Sequence, residues 1–499
     1  MRTHFNLVVF VLVVILSLLL TACSGETASP TGTEPVSSTG TTTSPTATED
    51  PADTEIDTSI PITEEPDIPP AVTTTPPPTP TTIIDDDFEP TLANHFGFMP
   101  AFLDFPGAIE SGGAYDRPHF ELFQWGMIER EPGLFDFFET DRYIREAQSY
   151  GMHILANIQP FARWDQEQCH QDLTPPDQPG DPRFVVTKGK PCDMEAYQEF
   201  VTGLVERYDG DGIDDMSGLT FPIKHWEVMN EPEFSTGDLI FFQGDAADYY
   251  DILKATYEAV KAADPDGFVV QGGMAGMMEI DIEFWQEVFD LGGSQYLDIM
   301  NMHSIGHGEH LNIPAFLQFL KDYGIQGKPV WVTEVQYQQS HQTQNYSNED
   351  FANILTRSYI FALANGVDKL FYVNIKMPFI PPGGPGGGPP FDERSALITD
   401  NGESSSLFYA HLTIAEILGE LSADDTVEII RESVGEWFID QGQYKFVIDG
   451  QTVYALWGAG ALPDEISGEV TVIDITGTET LTDSSSITLS DSPIFVIIS

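Results

Sequence analysis

Beyond residue 91 the chain alternates two textures. Short runs of branched and aromatic residues predict strands at 92–98, 120–127, 153–159, 223–230, 268–273, 298–303, 330–334 and 370–375. Between them, apolar positions recur at helical spacing over 194–208, 246–263, 282–291, 314–323, 348–364 and 407–418. Eight strands alternating with helices suit an α/β (β/α)8 (TIM) barrel better than an open doubly wound sheet. No glycine-rich dinucleotide or phosphate loop follows the first strand, which weakens the open-sheet alternative. After about residue 423 the helical period vanishes. Short β runs at 426–430, 444–447, 452–457, 469–474, 486–489 and 494–498 predict a small C-terminal all-β domain, sandwich-like, over 423–499. It carries Trp437 and Trp457, which read either as sugar platforms or as core packing.

Composition adds two segments that are not fold. At 499 residues and 41% hydrophobic, the chain has ample material for a large core. Its first stretch, with Arg2 followed by LVVFVLVVILSLLL, has the length and texture of a signal peptide. The ending Leu20-Thr21-Ala22-Cys23 resembles the lipobox of bacterial lipoproteins. That resemblance implies cleavage before Cys23, a diacylglycerol on its thiol, and an extracellular chain anchored to the envelope by lipid rather than by a spanning helix. Residues 24–90 are mostly Thr, Ser, Pro, Asp and Glu, with almost no aromatics and no Lys or Arg. Such a segment cannot bury enough apolar surface to offset its ordering entropy and reads as a self-repelling tether.

Charge and cysteines restrict the function classes. A net charge of −58 repels nucleic acid and polyanions, so a neutral or cationic partner is expected, and a salty habitat would produce the same acidity. With Cys23 assigned to lipid, Cys169 and Cys192 are the candidates for an intramolecular disulfide, worth roughly 3 kcal/mol through loop entropy; two free thiols are the alternative. Neither belongs to a CxxC, so a zinc site has little support.

Chemistry enters where strands end, because a barrel of this type works at its C-terminal face. The expected fourth strand ends Trp226-Glu227-Val228-Met229-Asn230-Glu231-Pro232, and the seventh ends Trp331-Val332-Thr333-Glu334. Strand ends three barrel units apart should be separated by roughly 95 residues, and Glu231 and Glu334 meet that spacing. Two facing carboxyls, one protonated and one ionised, are what glycosidic bond cleavage requires.

These strand ends, with their order and spacing, resemble the retaining glycoside hydrolases of clan GH-A, especially the family 39, 5 and 42 type. The resemblance extends over roughly 92–421. It includes 123–141, FQWGMIEREPGLFDFFETD, similar to the clan's second-strand segment, and 396–402, ALITDNG, similar to the hairpin before its eighth helix. It implies a catalytic barrel over 91–422 that cleaves a neutral oligo- or polysaccharide. Glu231 would be the acid/base, Glu334 the nucleophile and Asn230 a donor to the sugar 2-hydroxyl; no cofactor is implied. Glu227, deeper in the strand, and Glu233, beyond the proline, compete with Glu231.

Two positions depart from the family pattern. His119 stands where an Arg is common, with Arg117 nearby, and the eighth strand offers Phe371 and Tyr372 where a Trp usually floors the glycone subsite. Tyr372, His303 at the sixth strand end and Trp164 past the third are the further substrate-binding candidates. For His303 and Trp164 a purely structural role is the rival. Asp209, Asp211 and Asp215 in the run DGDGIDD resemble part of a calcium loop, without the downstream bidentate Glu of an EF-hand. The Pro/Gly-rich stretch 379–391 follows the eighth strand, at the mouth of the expected site. The rival reading from another class is a catalytically idle sugar-binding lipoprotein, for which a pair of catalytic Glu residues has no use. A barrel aldolase or metal hydrolase would need a Schiff-base Lys or a metal cluster, and Lys376 and His303 make neither.

Overall fold

The computed structural model describes residues 94–176, 186–235, 240–337, 343, 345–376 and 393–498. Eight parallel strands form the barrel: β1 (Phe96–Met99), β2 (Tyr115–Asp116), β3 (His153–Ile158), β4 (His225–Val228), β5 (Phe268–Val270), β6 (Met300–Ile305), β7 (Val330–Gln336) and β8 (Val367–Val373). Each is followed by a helix: α1 (Phe105–Glu110), α2 (Phe138–Ser149), α3 (Met194–Glu206), α4 (Ala246–Ala263), α5 (Glu279–Asp290), α6 (Ile313–Asp322), α7 (Asn348–Ala364) and α8 (Ser406–Leu418). The strands pair in the order β5-β4-β3-β2-β1-β8-β7-β6. Isolated parallel bridges, Val270 to Ile299 and Met274 to Met302, join the two ends.

One strand lies elsewhere than the pattern predicts. The second barrel strand is Tyr115–Asp116, and the apolar run at 120–127 forms a 3-10 turn (Phe120–Phe123) and a single helical turn (Trp125–Ile128). Pro118 explains the switch, since it has no N–H to offer a ladder. The run then lies against the end of β3, where Gln159 and Phe161 carbonyls accept the N–H groups of Trp125 and Gly126 at 2.9 and 3.0 Å.

Alternation along the strands fills the barrel in layers. Tyr115, Leu155, Val270, Ile299, Trp331 and Phe371 form one buried apolar layer. Gly97 on β1 makes room for it, since a Cβ there would stand 2.6 Å from the Phe371 ring. Two residues further along five of the strands the layer turns polar: Arg117, Asn157, Glu227, Asn301 and Thr333, each at most 1% exposed. The apolar layer is the floor of the polar one.

The C-terminal strands β9 (Thr426–Val434), β10 (Ile439–Ile448), β11 (Gln451–Trp457), β12 (Glu469–Asp474), β13 (Glu479–Asp483) and β14 (Ile494–Ile498) pair in one continuous antiparallel sheet, β9-β10-β11-β14-β12-β13. In hydrogen bonding, then, the sandwich-like arrangement is a single sheet. The run at 486–489 is unpaired, because Asp483 caps Ser485 N–H at 2.9 Å and starts a 3-10 turn. The β9–β10 turn reaches the loop after β6. There Glu309 N–H donates to the Trp437 carbonyl at 2.7 Å, and the Glu309 carboxylate, ion-paired with Arg357, accepts Ile439 N–H at 2.7 Å. Trp457 is buried, stacked on Tyr444 and hydrogen-bonded to the Ile439 carbonyl, a packing role. Trp437 is half-buried.

Candidate active site

Glu334 owes its inward aim to a bulge. Val332 and Val335 of β7 pair regularly with both neighbours, but the register slips between them on the β6 side and on the β8 side. An extra residue in a strand lets two successive side chains share a face, so Thr333 and Glu334 both enter the barrel interior.

Glu231 arrives differently. At the end of β4 the backbone turns left-handed at Met229 (φ 66°) and again at Glu231 (φ 40°), conformations that non-glycine residues adopt at a cost of about 1–3 kcal/mol each. The kink is held by Met229 N–H on the Ile158 carbonyl (2.9 Å) and Glu231 N–H on the Gly272 carbonyl (2.8 Å). It lifts Asn230 and Glu231 over the polar layer.

Arg117 organises the floor of the site. Fully buried, it donates to both oxygens of Glu227 (2.6 and 3.0 Å), to Glu334 Oε1 (2.8 Å) and to Asn230 Oδ1 (2.8 Å). Asn157 and Asn301 add amide donors to Glu227 at 2.8 and 2.9 Å. Glu227 is therefore the counter-ion of Arg117, held four residues below Glu231. His303 bridges the two sides: Nδ1 lies 2.7 Å from Glu231 Oε1 and 3.6 Å from Glu334 Oε1, with Nε2 3.1 Å from Thr333 Oγ1. One oxygen of Glu231, one of Glu334 and a His303 nitrogen all lie within 4.8 Å of one another.

Electrostatics separate the two carboxyls. Burial, then the charges of Glu334 and Glu233, push the Glu231 carboxyl well above the usual range, and Arg117 opposes this only at a distance. Burial also raises Glu334, but here the Arg117 guanidinium, hydrogen-bonded to it, is the foremost opposing influence. The cation therefore favours Glu334 as the ionised member and leaves the proton on Glu231. His303, desolvated beside Arg117, is held neutral.

The structure thus brings together Glu231, Glu334, Asn230 and His303. Tyr372 does not join them. Strand alternation sends Phe371 inward and Tyr372 outward, where its hydroxyl donates to the Ser395 carbonyl at 2.5 Å and its ring packs in the layer shared with the helices. Trp164 is pinned edge-on to Trp125 (centroids 4.9 Å apart), with its indole N–H on the Glu129 carbonyl at 2.9 Å, the packing role of the rival reading. Cys169 and Cys192 form a disulfide, with Cα atoms 5.8 Å apart. The acidic loop gathers Asp209 and Asp211 with Glu206, not with Asp215, whose oxygens accept the N–H groups of Gly210 (3.0 Å) and Gly212 (2.8 Å). Cys23, the segment 24–90 and the stretch 379–391 lie outside the described residues. The residues that sequence reasoning missed are Arg117 as a site residue, Glu227 as its partner, and Asn157, Asn301 and Thr333. The available signal was an Arg and a Glu in runs otherwise built for burial.

No protein-family model matches the chain, and no curated protein matches it in sequence. Solved structures do match in shape. A family 39 glycoside hydrolase from Bacteroides cellulosilyticus WH2 superposes with a TM-score of 0.56 at 16% identity, over 81% of this chain and 80% of that one. A family 39 β-xylosidase from Caulobacter crescentus gives 0.50 at 16% identity over 79% and 90%. The catalytic domain of the family 30 xylanase C from Talaromyces cellulolyticus gives 0.50 at 14% identity over 81% and 96%. At such identities the likeness is one of fold: the chain shares the barrel architecture of these glycoside hydrolases, with an all-β sheet at its C-terminal end.

Proposed function

We propose that the protein is a retaining glycoside hydrolase of clan GH-A type, acting on a neutral oligo- or polysaccharide by double displacement. The observation that carries this is the pairing of two buried strand-end carboxyls, with oxygens within 4.8 Å of each other, of which only Glu334 is bonded to a cation. So short a separation suits a nucleophile better than a general base that must leave room for a water. In the first step a Glu334 oxygen attacks the anomeric carbon, the glycosidic C–O bond breaks, and Glu231 gives its proton to the leaving oxygen. In the second, Glu231, now ionised, takes a proton from water as that oxygen attacks the anomeric carbon. The ester bond breaks and Glu334 returns as carboxylate. The chemistry uses the chain's own side chains and water.

His303 holds Glu231 in position, and Asn230, fixed by Arg117, faces the sugar. A sugar-binding protein without turnover has no use for carboxyls separated in this way. The signal-like segment, the lipobox-like Cys23 and the Cys169–Cys192 disulfide support an exported, lipid-anchored location. Since the fold neighbours include a β-xylosidase and a xylanase, aryl β-xylosides head the panel of aryl glycosides to test. The proposal expects turnover with the product's first-formed anomer, read by proton NMR, of the same configuration as the substrate. Inverted product, or no turnover across the panel, would overturn it.

A further inference from the structure

Behind Glu231 lie two more buried carboxyls that the two displacements do not use. Glu233, just past Pro232, is 2% exposed, and Asp281 in the first turn of α5 is 0% exposed. One oxygen of each is bound by a backbone N–H: Glu233 Oε1 by Ala275 at 2.6 Å, and Asp281 Oδ2 by Met278 at 2.9 Å. Asp281 Oδ1 and Glu231 Oε2 have no hydrogen-bond partner among the described residues, and Glu233 has, besides Ala275, neutral donors in the Trp285 indole N–H and its own backbone N–H. Among the described residues no Lys or Arg pairs with Glu233 or Asp281, and Arg117, the cation of the site, is already committed to Glu227 and Glu334.

The remaining neighbours supply no positive charge. Trp285, one turn past Asp281 on α5, sits beside Glu233, and Tyr249 of α4 faces it with its hydroxyl donating to the Val228 carbonyl at 3.1 Å. From the loop after β6, His307 and Asp281 meet across Gly276, where an added Cβ would stand 3.3 and 3.2 Å from them. Burial holds His307 neutral, down at about 4. On the barrel side, Glu231 sees Glu334 of β7, Arg117 just past β2 and neutral His303 of β6. Ionising Glu231 therefore adds a negative charge to a dry region that already holds acids without a counter-ion, an expensive change.

We propose that Glu233, backed by Asp281, is a positioning residue for the reaction: a buried acid pair without a counter-ion that keeps the proton on Glu231 until a leaving group takes it. The inference rests on the glycosidase reading above. Its electrostatics agree with the geometry. Burial, followed by the Asp281 charge, pushes Glu233 up to about 8, and burial raises Asp281 to about 6, so Asp281 carries its charge first and Glu233 adds one in the alkaline range, where Glu231, raised well above the usual range, gives up its proton.

The test is Glu233→Gln, which keeps an oxygen for the Ala275 N–H, alongside Asp281→Asn. In each, kcat/KM is followed against pH with the aryl glycoside turned over by wild type. Glu231 is titrated directly by 13C NMR of side-chain-labelled protein. Removing the acid at 233 should move the alkaline limb and the Glu231 titration down by about one pH unit while the acid limb stays in place. Asp281→Asn should shift both in the same direction by less. An unmoved Glu231 titration, or a uniform loss at every pH without displacement of one limb, would overturn the role. A Glu231 titration that shifts in a protein inactive on every glycoside would keep the acid pair and sink the glycosidase reading instead.

Discussion

The ends of β4 and β7 present the same functional group by opposite means. β7 stays extended and gains one residue in a bulge, which drops Glu334 onto Arg117. β4 turns left-handed twice and lifts Glu231 away from that cation, toward a neutral His303 and further acids. Burial raises both carboxyls, and the backbone, by placing one guanidinium against Glu334, makes Glu334 the easier of the two to ionise. On the proposed mechanism, the roles of the two carboxyls follow from strand-end geometry before any substrate arrives.

The harshest way to break the comparison is to remove the ionised partner. Glu334→Gln should lower kcat on a good aryl glycoside by about 10⁴-fold or more, read by steady-state release of the phenol, with folding checked by circular dichroism. Next comes Arg117→Lys, because a single ammonium cannot span Glu227, Glu334 and Asn230 at once. It should cost about 10²-fold in kcat/KM. Weakening the foremost cause that lowers Glu334 should also move the acid limb to higher pH. With the buried network broken, urea unfolding should report a loss of about 3–5 kcal/mol.

Glu227→Gln sharpens the contrast from the other side. It removes a negative charge that raises Glu334, so the acid limb should move to lower pH even as kcat/KM falls by about 10-fold. The smallest effect is on stability. Glu233, Asp116 and Asp281 are raised by burial to about 8, 7 and 6, so the folded chain binds more protons than the unfolded one. Their contribution is fully present below the ordinary carboxylate range and is lost as pH rises through about 6 to 8. Tm measured by calorimetry should fall by about 5 °C between pH 5 and 9.

Much of this was legible in the sequence, because barrel strands and helices are local patterns. The helices at 246–263 and 348–364 and the strand ends carrying Glu231 and Glu334 follow from apolar spacing and from the abrupt polar stop. Strand β2 was not legible: it is two residues long and is fixed by its neighbours β1 and β3, while the stronger apolar run nearby folds into turns. A second strand at 120–127 also hides Arg117, which stands two residues before the position where the family pattern has its Arg. The bulge in β7 was equally invisible, since an extra residue leaves no mark in composition. Tyr372 failed for the same reason of parity, one residue out of phase with the site.

The central claim is that Glu334 forms a covalent bond to the sugar while Glu231 moves the proton. Its most direct measurement uses a slow 2-deoxy-2-fluoro aryl glycoside matched to the sugar that wild type cleaves. The inactivated protein is digested, and the labelled residue is located by tandem mass spectrometry. The account predicts one adduct per chain, on Glu334, absent in Glu334→Gln and still formed in Glu231→Gln when the leaving group is activated. An adduct on Glu231 or Glu227, or rapid turnover with no adduct and inverted product, would contradict it.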